Sequence, residues 1–229
     1  MNLTLDIGNT QAKLAVFDDK LLEIKCFDSK YIHDNINDFL KLFPLIKNLI
    51  VCSVIDTDLN FDSYNFQNIH FVSNTSKLPF INLYNTKRSL GNDRIALVSR
   101  AAIKFSNQNV LIIDAGSCIT YDFINKNNQY LGGAISPGLK MRFKSLNHYT
   151  SNLPLVKSLT ESIDIGKTTY DSISNGVCSG VNYEIEGFID QYSSKYKNLT
   201  VILTGGDSDF LSKRLKISIF ANQNFLLEG

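Results

Sequence analysis

The sequence predicts an α/β protein made of two similar domains with a cleft between them. The predicted order strand–strand–strand–helix–strand–helix occurs once in each half of the 229 residues. An apolar strand that ends in Asp-x-Gly also occurs twice, at residues 3–8 and 111–116. A polar stretch without core residues, 106–109, separates the two halves. We therefore expect domains at residues 1–108 and 109–229.

In the N-terminal half, apolar alternation and β-branched residues predict five strands, with one helix after the third strand and another after the fifth. The predicted strands are residues 2–6, 12–17, 22–27, 48–54 and 69–72. A helix is predicted at 34–43, where the apolar residues share one face and Pro44 stops the helix. Residues 61–67 predict a weak helix or a turn, 74–79 a loop, and 93–105 a second helix.

The C-terminal half repeats this order. Strands are predicted at residues 110–114, 119–124, 129–135 and 201–204. Helices are predicted at 139–149 and 209–215, and a long helical region interrupted by glycines at 169–193. The chain is expected to return to strand around Ile217 and Phe225.

Composition excludes several classes of protein. Hydrophobic residues make up 44% and charged residues 20%, which is enough for a sizeable core and argues against disorder. The net charge of +1 gives no sign of a nucleic-acid or anionic-membrane partner. No apolar run approaches the roughly 20 residues of a membrane helix, and no secretory signal is present. We expect a cytoplasmic protein.

The four cysteines are scattered, and with three histidines they form no zinc-binding pattern. We expect free thiols, mostly buried. The sequence contains no GxSxG, HExxH or GxGxxG motif. Gly166-Lys167-Thr168 resembles the end of a P-loop, but the glycine required five residues earlier is Glu161.

The two Asp-x-Gly turns suggest a chemistry. Glycine lets the backbone approach a ligand closely, and the N–H groups of such a turn can bind phosphate. Asp114 places a carboxylate where a cation that accompanies phosphate would need one. Two ordinary β-hairpins would explain either turn alone. The same relation to a strand in both halves favours paired nucleotide-binding loops.

The ordered series of motifs resembles the type III pantothenate kinases, of the actin/hexokinase/Hsp70-like ATPase superfamily. The matching motifs are Asp6-Ile-Gly-Asn-Thr10 with Lys13, Tyr84, Gly91-Asn-Asp-Arg94, Asp114-Ala-Gly-Ser117, Gly132-Gly-Ala-Ile-Ser-Pro-Gly138, Thr150-Ser-Asn-Leu-Pro154, Gly166-Lys-Thr-Thr169 and Thr204-Gly-Gly-Asp207. They follow the family's order over residues 6–207, nearly the whole chain. Ser117 stands where the family usually has threonine, which preserves the hydroxyl.

The resemblance implies two ribonuclease-H-like (actin-like ATPase) domains with a nucleotide cleft between them. It implies an ATP-dependent kinase that converts pantothenate to 4'-phosphopantothenate, the first step of coenzyme A biosynthesis, and that works as a homodimer. The implied cofactors are ATP with Mg²⁺ and a monovalent cation, K⁺ or NH₄⁺.

The resemblance also assigns site residues. ATP-binding positions are Asp6, Ile7, Gly8, Asn9, Thr10, Gln11, Ala12, Lys13 and Ser117. Pantothenate-binding positions are Tyr84, Gly91, Asn92, Asp93, Arg94 and Thr169. Asp114 is implied to bind the monovalent cation, and Asp93 to be catalytic.

These roles agree with the chemistry of the side chains. Phosphorylation of an alcohol requires a carboxylate that accepts or orients the hydroxyl proton, which Asp93 supplies. Arg94 carries a planar fork that can bind a substrate carboxylate at two points. Each residue also has a plainer explanation: Asp93 can cap its helix, Asp114 can bind turn amides, and Lys13 can be a surface lysine.

Two alternative functions stay open. A protein of this family can act as a regulatory accessory factor without kinase activity. Another small-molecule kinase of the superfamily would keep the phosphate loops and change the acceptor. Tyr84, Arg94 and Thr169 weigh against that second alternative.

Overall fold

The computed structural model of the chain describes residues 1–8, 11–55, 59–157, 164–216 and 219–229. Within these ranges the chain forms eleven strands and five α-helices. The strands are β1 (Asn2–Ile7), β2 (Ala12–Asp18), β3 (Lys20–Phe27), β4 (Asn48–Ser53), β5 (Asn68–Phe71), β6 (Ile81–Asn82), β7 (Asn109–Ala115), β8 (Cys118–Ile124), β9 (Gln129–Pro137), β10 (Leu199–Thr204) and β11 (Phe220–Ala221). The helices are α1 (Ile32–Leu42), α2 (Asn92–Lys104), α3 (Leu139–His148), α4 (Thr169–Lys195) and α5 (Ser208–Ser212).

The chain forms two compact units, each with its own sheet. Unit 1 consists of Met1–Pro79, Tyr84–Arg100 and Leu226–Gly229, and unit 2 of Phe80–Leu83 and Ala101–Phe225. Both units combine strands and helices, which confirms the predicted α/β class. The boundary after residue 108 and the cleft between the domains stay predictions.

Unit 1 is built on a five-stranded sheet in the order β3–β2–β1–β4–β5. Strand β1 pairs antiparallel with β2 and parallel with β4. Alternate residues of β1, Leu3, Leu5 and Ile7, are buried in one cluster with Ile36 and Phe39 of α1. Because β1 and β4 are parallel, the residues at their C-terminal ends come to the same edge of the sheet.

Unit 2 is built on a six-stranded sheet in the order β11–β10–β7–β8–β9–β6. Leu111 and Ile113 of β7 are fully buried in one cluster with Val177, Val181 and Ile185 of α4. The spacing of those α4 residues, i, i+4 and i+8, places them on one face of the helix. The order β9–β8–β7–β10–β11 reproduces β3–β2–β1–β4–β5, which is the repeat that the sequence predicts.

Two elements of the C-terminal half differ from the prediction. Helix α4 is continuous over 27 residues, with Gly176, Gly180 and Gly187 inside it. The chain does return to strand, at β11 between the two residues of that prediction, but not at Phe225 itself. The Phe225 side chain is only 1% exposed, and residues 223–228 form turns. Ile217, the other residue of that prediction, lies outside the described residues.

The edge strand β6 was not predicted, because two residues carry no periodic signal. The four cysteines are free thiols, as expected; Cys52 and Cys178 are buried and Cys118 is partly buried, but Cys26 is exposed. No helix among the described residues combines the length and apolar character needed to cross a bilayer.

Candidate active site

Asp6 lies near the C-terminal end of β1, between a cation and a thiol. In the backbone register it is opposite Lys13 of β2 and Cys52 of β4. Residues opposite one another point to the same face of a sheet, so the three side chains form a row. The turn that follows is closed by the Gly8 N–H, which donates to the Gln11 carbonyl at 3.0 Å. Two predicted ATP-binding residues of this turn, Asn9 and Thr10, lie outside the described residues.

The pKa of Asp6 connects this row with helix α2. Burial raises this pKa to about 6, and the negative charge of Asp93 adds to the rise, while Lys13 opposes it. Burial and both carboxylates also raise the pKa of the Cys52 thiol well above its usual range. Asp6, Cys52 and Asp93 therefore share one electrostatic environment. Sequence reasoning missed Cys52, although its place at the end of the strand parallel to β1 was a usable signal.

The first turn of α2 holds Asp93 in a defined position. The Asn92 side-chain amide donates to the Ser53 carbonyl at 3.0 Å and ties the helix start to the end of β4. Asp93 Oδ1 accepts the Arg94 backbone N–H at 2.8 Å. A Cβ on Gly91 would lie 2.4 Å from Asp93 Oδ1, so only glycine leaves room for the carboxylate. Asp93 is the second residue of α2, and its carboxylate binds a backbone N–H of the first turn.

Burial raises the pKa of Asp93, although the hydrogen bond from the Arg94 N–H and the charge of Arg94 oppose the rise. A carboxylate with a raised pKa is a stronger base than a fully solvated one. This is the environment that a proton acceptor for an alcohol requires.

Arg94 and Tyr84, two predicted pantothenate residues, meet in unit 1. Arg94 is only 5% exposed, and its Cζ lies 5.5 Å from the centre of the Tyr84 ring. At this distance the ring attracts the guanidinium through a cation–π interaction. The contact restricts the orientation of the planar fork.

The other predicted ATP residues of unit 1 differ in exposure. Ile7 and Ala12 are fully buried, so any contact with a ligand would come from their backbone. Gln11 is exposed and Lys13 is half-buried. Of this turn, Gln11 and Lys13 are therefore the described side chains that can reach a phosphate.

In unit 2, three turns meet at Asp114. The Asp207 N–H donates to the Ala115 carbonyl at 2.9 Å, and the Gly138 N–H donates to the Ser117 carbonyl at 3.1 Å. Gly205 has a φ of +93°, and a Cβ there would lie 2.3 Å from Asp114 Oδ1. A side chain at this position would be strained and would displace the carboxylate. Ser117, at the tip of its turn, is exposed.

The neighbours of Asp114 are hydroxyls. In register it is opposite Thr120 of β8 and Thr204 of β10. Among the described residues neither threonine Oγ1 has a hydrogen-bond partner, although both atoms are buried. A carboxylate flanked by two oxygen atoms without partners fits a hard cation, which prefers oxygen ligands.

Two further charged residues near these turns were given no role from the sequence: Asp207, which ends the Thr204-Gly-Gly-Asp207 motif, and Lys140. Burial raises the pKa of Asp207, and the charge of Lys140 in the first turn of α3 opposes the rise. The glycine pair that precedes Asp207 directly after a strand was the available signal.

Thr169, a predicted pantothenate residue, is the first residue of α4 and is exposed. The Thr168 hydroxyl before it accepts the Asp171 N–H at 3.1 Å.

A buried polar network holds α3 in place. Arg142 donates to Ser136 Oγ at 2.6 Å and forms an ion pair with Glu184, whose other oxygen accepts the Tyr121 hydroxyl at 2.8 Å. Burial works to raise the pKa of Glu184, but the hydrogen bonds from Arg142, Ser136 and Tyr121 lower it. The network fixes the helix that begins directly after Gly138.

The described side chains do not form a complete divalent-metal site by themselves. Among the described residues no group of three or more histidine, cysteine or carboxylate side chains is placed to hold a metal. Mg²⁺ commonly binds one or two carboxylates together with the phosphates of a nucleotide. Asp6, beside Lys13 and the turn amides, fits a metal that arrives with a nucleotide.

Comparison with known proteins identifies close relatives. The family model described as type III pantothenate kinase matches residues 2–191. A type III pantothenate kinase from Flavobacterium johnsoniae is 48% identical over 232 residues, covering 100% of this chain and 95% of that protein. A second, from Christiangramia forsetii, is 49% identical and covers 100% of this chain and 96% of that protein.

Solved structures share the fold. A conserved putative Baf family transcriptional activator from Campylobacter jejuni is 24% identical with a TM-score of 0.62, over 98% of this chain and 92% of that one. The activator of the 2-hydroxyisocaproyl-CoA dehydratase from Clostridium difficile, with bound ADPNP, is 11% identical with a TM-score of 0.55, over 99% and 91%. At these identities the likeness concerns the fold alone, and it confirms the predicted fold class.

Proposed function

This chain belongs to the type III pantothenate kinase family, and we propose that it uses ATP to phosphorylate pantothenate to 4'-phosphopantothenate, the first step of coenzyme A biosynthesis. The observation that carries this proposal is the arrangement at the start of α2. There Asp93 is coupled to Asp6, and Arg94 is held against Tyr84.

Asp93 has the position and the environment of the proton acceptor. Its Oδ1 is held by the Arg94 N–H, and burial raises its pKa. It would accept or orient the proton of the primary hydroxyl as the oxygen attacks the γ-phosphoryl group. Transfer is direct, because the reaction needs positioning and charge stabilisation rather than a covalent intermediate.

Arg94 would bind the carboxylate of pantothenate. Its fork can donate two parallel hydrogen bonds, and its low exposure strengthens them. Tyr84 restricts the orientation of that fork. Thr169, exposed at the start of α4, would offer its hydroxyl to the same substrate.

The two Asp-x-Gly turns would bind the nucleotide. Gln11 and Lys13 in unit 1 and Ser117 in unit 2 supply polar groups for phosphate oxygens. Mg²⁺ that arrives with ATP neutralises charge on the transferred phosphoryl group. Asp6 is the carboxylate best placed to hold that ion in unit 1.

We also propose a K⁺ or NH₄⁺ ion at Asp114. The support is the pair of buried threonine hydroxyls on either side of this carboxylate. Assembly as a homodimer and a cytoplasmic location remain proposals that rest on the family.

The test is an assay of the purified protein with ATP, Mg²⁺, K⁺ and a panel of hydroxy acids, with products identified by mass spectrometry. We expect phosphate on the primary hydroxyl of pantothenate in preference to the other acceptors, and loss of that product in Asp93→Asn. Preference for another acceptor would make the protein a different small-molecule kinase. Nucleotide binding without transfer to any acceptor would favour the regulatory alternative.

A further inference from the structure

Residues Leu226–Gly229, the closing segment, contact helix α2 at Ala96 and Arg100. Leu227 is only 4% exposed. A Cβ on Gly229 would lie 2.1 Å from the carbonyl oxygen of Ala96, so the backbone of the segment touches the backbone of the helix. Contact this close leaves no room for a side chain at residue 229. The segment therefore fits one place on the helix.

An ion pair fastens the closing segment to the same helix. Glu228 Oε2 accepts hydrogen bonds from Arg100 Nε at 2.9 Å and from the Arg100 terminal nitrogen at 2.8 Å. The two side chains are 28% and 20% exposed, so solvent screens the pair only in part. Such a pair holds its partners more firmly than an exposed one, for instance Lys25–Asp38 at 3.8 Å, whose side chains are 49% and 56% exposed.

The contacts fall on the helix face that carries Asp93. Ala96 and Arg100 follow Asp93 by three and seven residues, and side chains at i, i+3 and i+7 of a helix share a face. The closing segment thus holds α2 one and two turns beyond Asp93. At the start of α2, the Asn92 side-chain amide donates to the Ser53 carbonyl and ties that end of the helix to β4.

We infer that Glu228 and Arg100 are positioning residues for the phosphoryl transfer, an inference that rests on the proposed role of Asp93. They act through α2 by fixing the distance between the Asp93 carboxylate and the acceptor hydroxyl. A displacement of about 1 Å in a reacting group can cost as much as 100-fold in rate. The phosphate-binding residue Lys13 lies on β2 and is not held by this contact.

The first experiment compares Glu228→Gln with the matched control Asp38→Asn, which breaks the exposed pair of the same unit. We expect Glu228→Gln to lower kcat roughly 10-fold and to leave the KM for ATP unchanged, because it moves a reacting group and not the ATP site. Asp38→Asn should change neither. If Glu228→Gln does not fold, Arg100→Lys keeps the charge, loses the fork, and should lower kcat in the same way by less.

The second experiment places Glu228→Gln in the Asp93→Asn background. A residue that acts only through Asp93 loses its effect once that carboxylate is gone, so the double variant should turn over as slowly as Asp93→Asn alone. An equal fall in kcat in both backgrounds would overturn the inference. A lowered melting temperature with unchanged kcat would overturn it too, by showing a structural role. Normal turnover of Asp93→Asn alone would refute the proposed function of Asp93 and the inference with it.

Discussion

The turn after β1 and the turn after β7 occupy the same place in their sheets but have different neighbours. Each carboxylate lies near the C-terminal end of a strand that pairs antiparallel on one side and parallel on the other. Asp6 is opposite a lysine and a thiol and is coupled to Asp93. Asp114 is opposite two threonines and packs against the glycine turn at Gly205.

This difference shows that the sequence repeat places a carboxylate at the same point in each sheet but does not determine the function of that carboxylate. A strand end with Asp-x-Gly brings a carboxylate and turn amides to the edge of a sheet. The residues on adjacent strands then decide what that carboxylate can do. In unit 1 they are a lysine and a thiol and adjoin the start of α2, which suits the reaction. In unit 2 they are hydroxyls, which suits a bound cation.

The largest expected effect tests the chemistry assigned to unit 1. Asp93→Asn should lower kcat roughly 100-fold or more, the usual contribution of a positioned general base. Stability should change little, because the asparagine oxygen can still accept the Arg94 N–H and asparagine caps a helix about as well as aspartate. Steady-state kinetics and a thermal melt of the same preparation measure both quantities.

The matched control is Asp34→Asn, since Asp34 also lies in the first turn of a helix of unit 1 but is exposed. It should leave kcat unchanged. An Asp93→Asn protein that melts early while its folded fraction turns over normally would make Asp93 a structural cap only.

A smaller effect separates acceptor binding from nucleotide binding. Arg94→Lys keeps the charge but loses the fork, and should raise the KM for pantothenate about 10-fold, the value of one charge-assisted hydrogen bond. The KM for ATP should change much less. Pantetheine, which lacks the carboxylate, should be phosphorylated almost equally by both proteins.

Arg88→Lys, at an exposed arginine six residues before Arg94, is the control and should change neither KM. If Arg94→Lys weakens ATP and pantothenate equally, Arg94 does not distinguish the acceptor. The assignment of unit 1 to acceptor chemistry would then need revision.

The smallest effect concerns pH and stability in the absence of Mg²⁺ and nucleotide. Because the pKa of Asp6 is raised to about 6, the folded protein binds this proton more tightly than the unfolded protein does. The free energy of unfolding should therefore fall as pH rises from the usual aspartate range through about 6. The loss should be about 3 kcal/mol at most, at 1.36 kcal/mol for each pKa unit.

Urea unfolding curves at several pH values measure this dependence, and Asp6→Asn should reduce it. A slope that Asp6→Asn does not change would mean that another group titrates in that window. The electrostatic coupling of Asp6 to α2 would then be weaker than the structure indicates.

Much of the fold could be predicted from the sequence, because strong periodicity marks its strands and helices. The strand before Asp6 and the strand before Asp114 were placed to within a residue or two. The two-residue strand β6 has no periodic signal. Phe225 is apolar and buried, but it lies in a turn. Apolar character alone cannot separate a buried turn from a strand.

Site residues could be predicted where they belong to one continuous sequence motif. They could not be predicted where the fold brings together residues that are distant in the sequence. Asp93 and Arg94 are adjacent in the sequence, and each could be assigned a chemical role. Cys52 and Lys140 come beside Asp6 and Asp207 only when separate strands and helices pack together, and the sequence motifs alone do not assign them. The pair Arg100–Glu228, 128 residues apart, is the clearest example.

The most direct test of the division of roles is the dependence of turnover on K⁺ concentration in Asp6→Asn and Asp114→Asn, measured side by side. With a monovalent cation at Asp114, replacement of K⁺ by Na⁺ should remove most activity of the unsubstituted protein. Asp114→Asn should raise the half-saturating K⁺ concentration or abolish the response. Asp6→Asn should lower the maximal rate and leave the half-saturating K⁺ concentration unchanged. Full activity without any activating cation, or the same shift in both variants, would contradict the account.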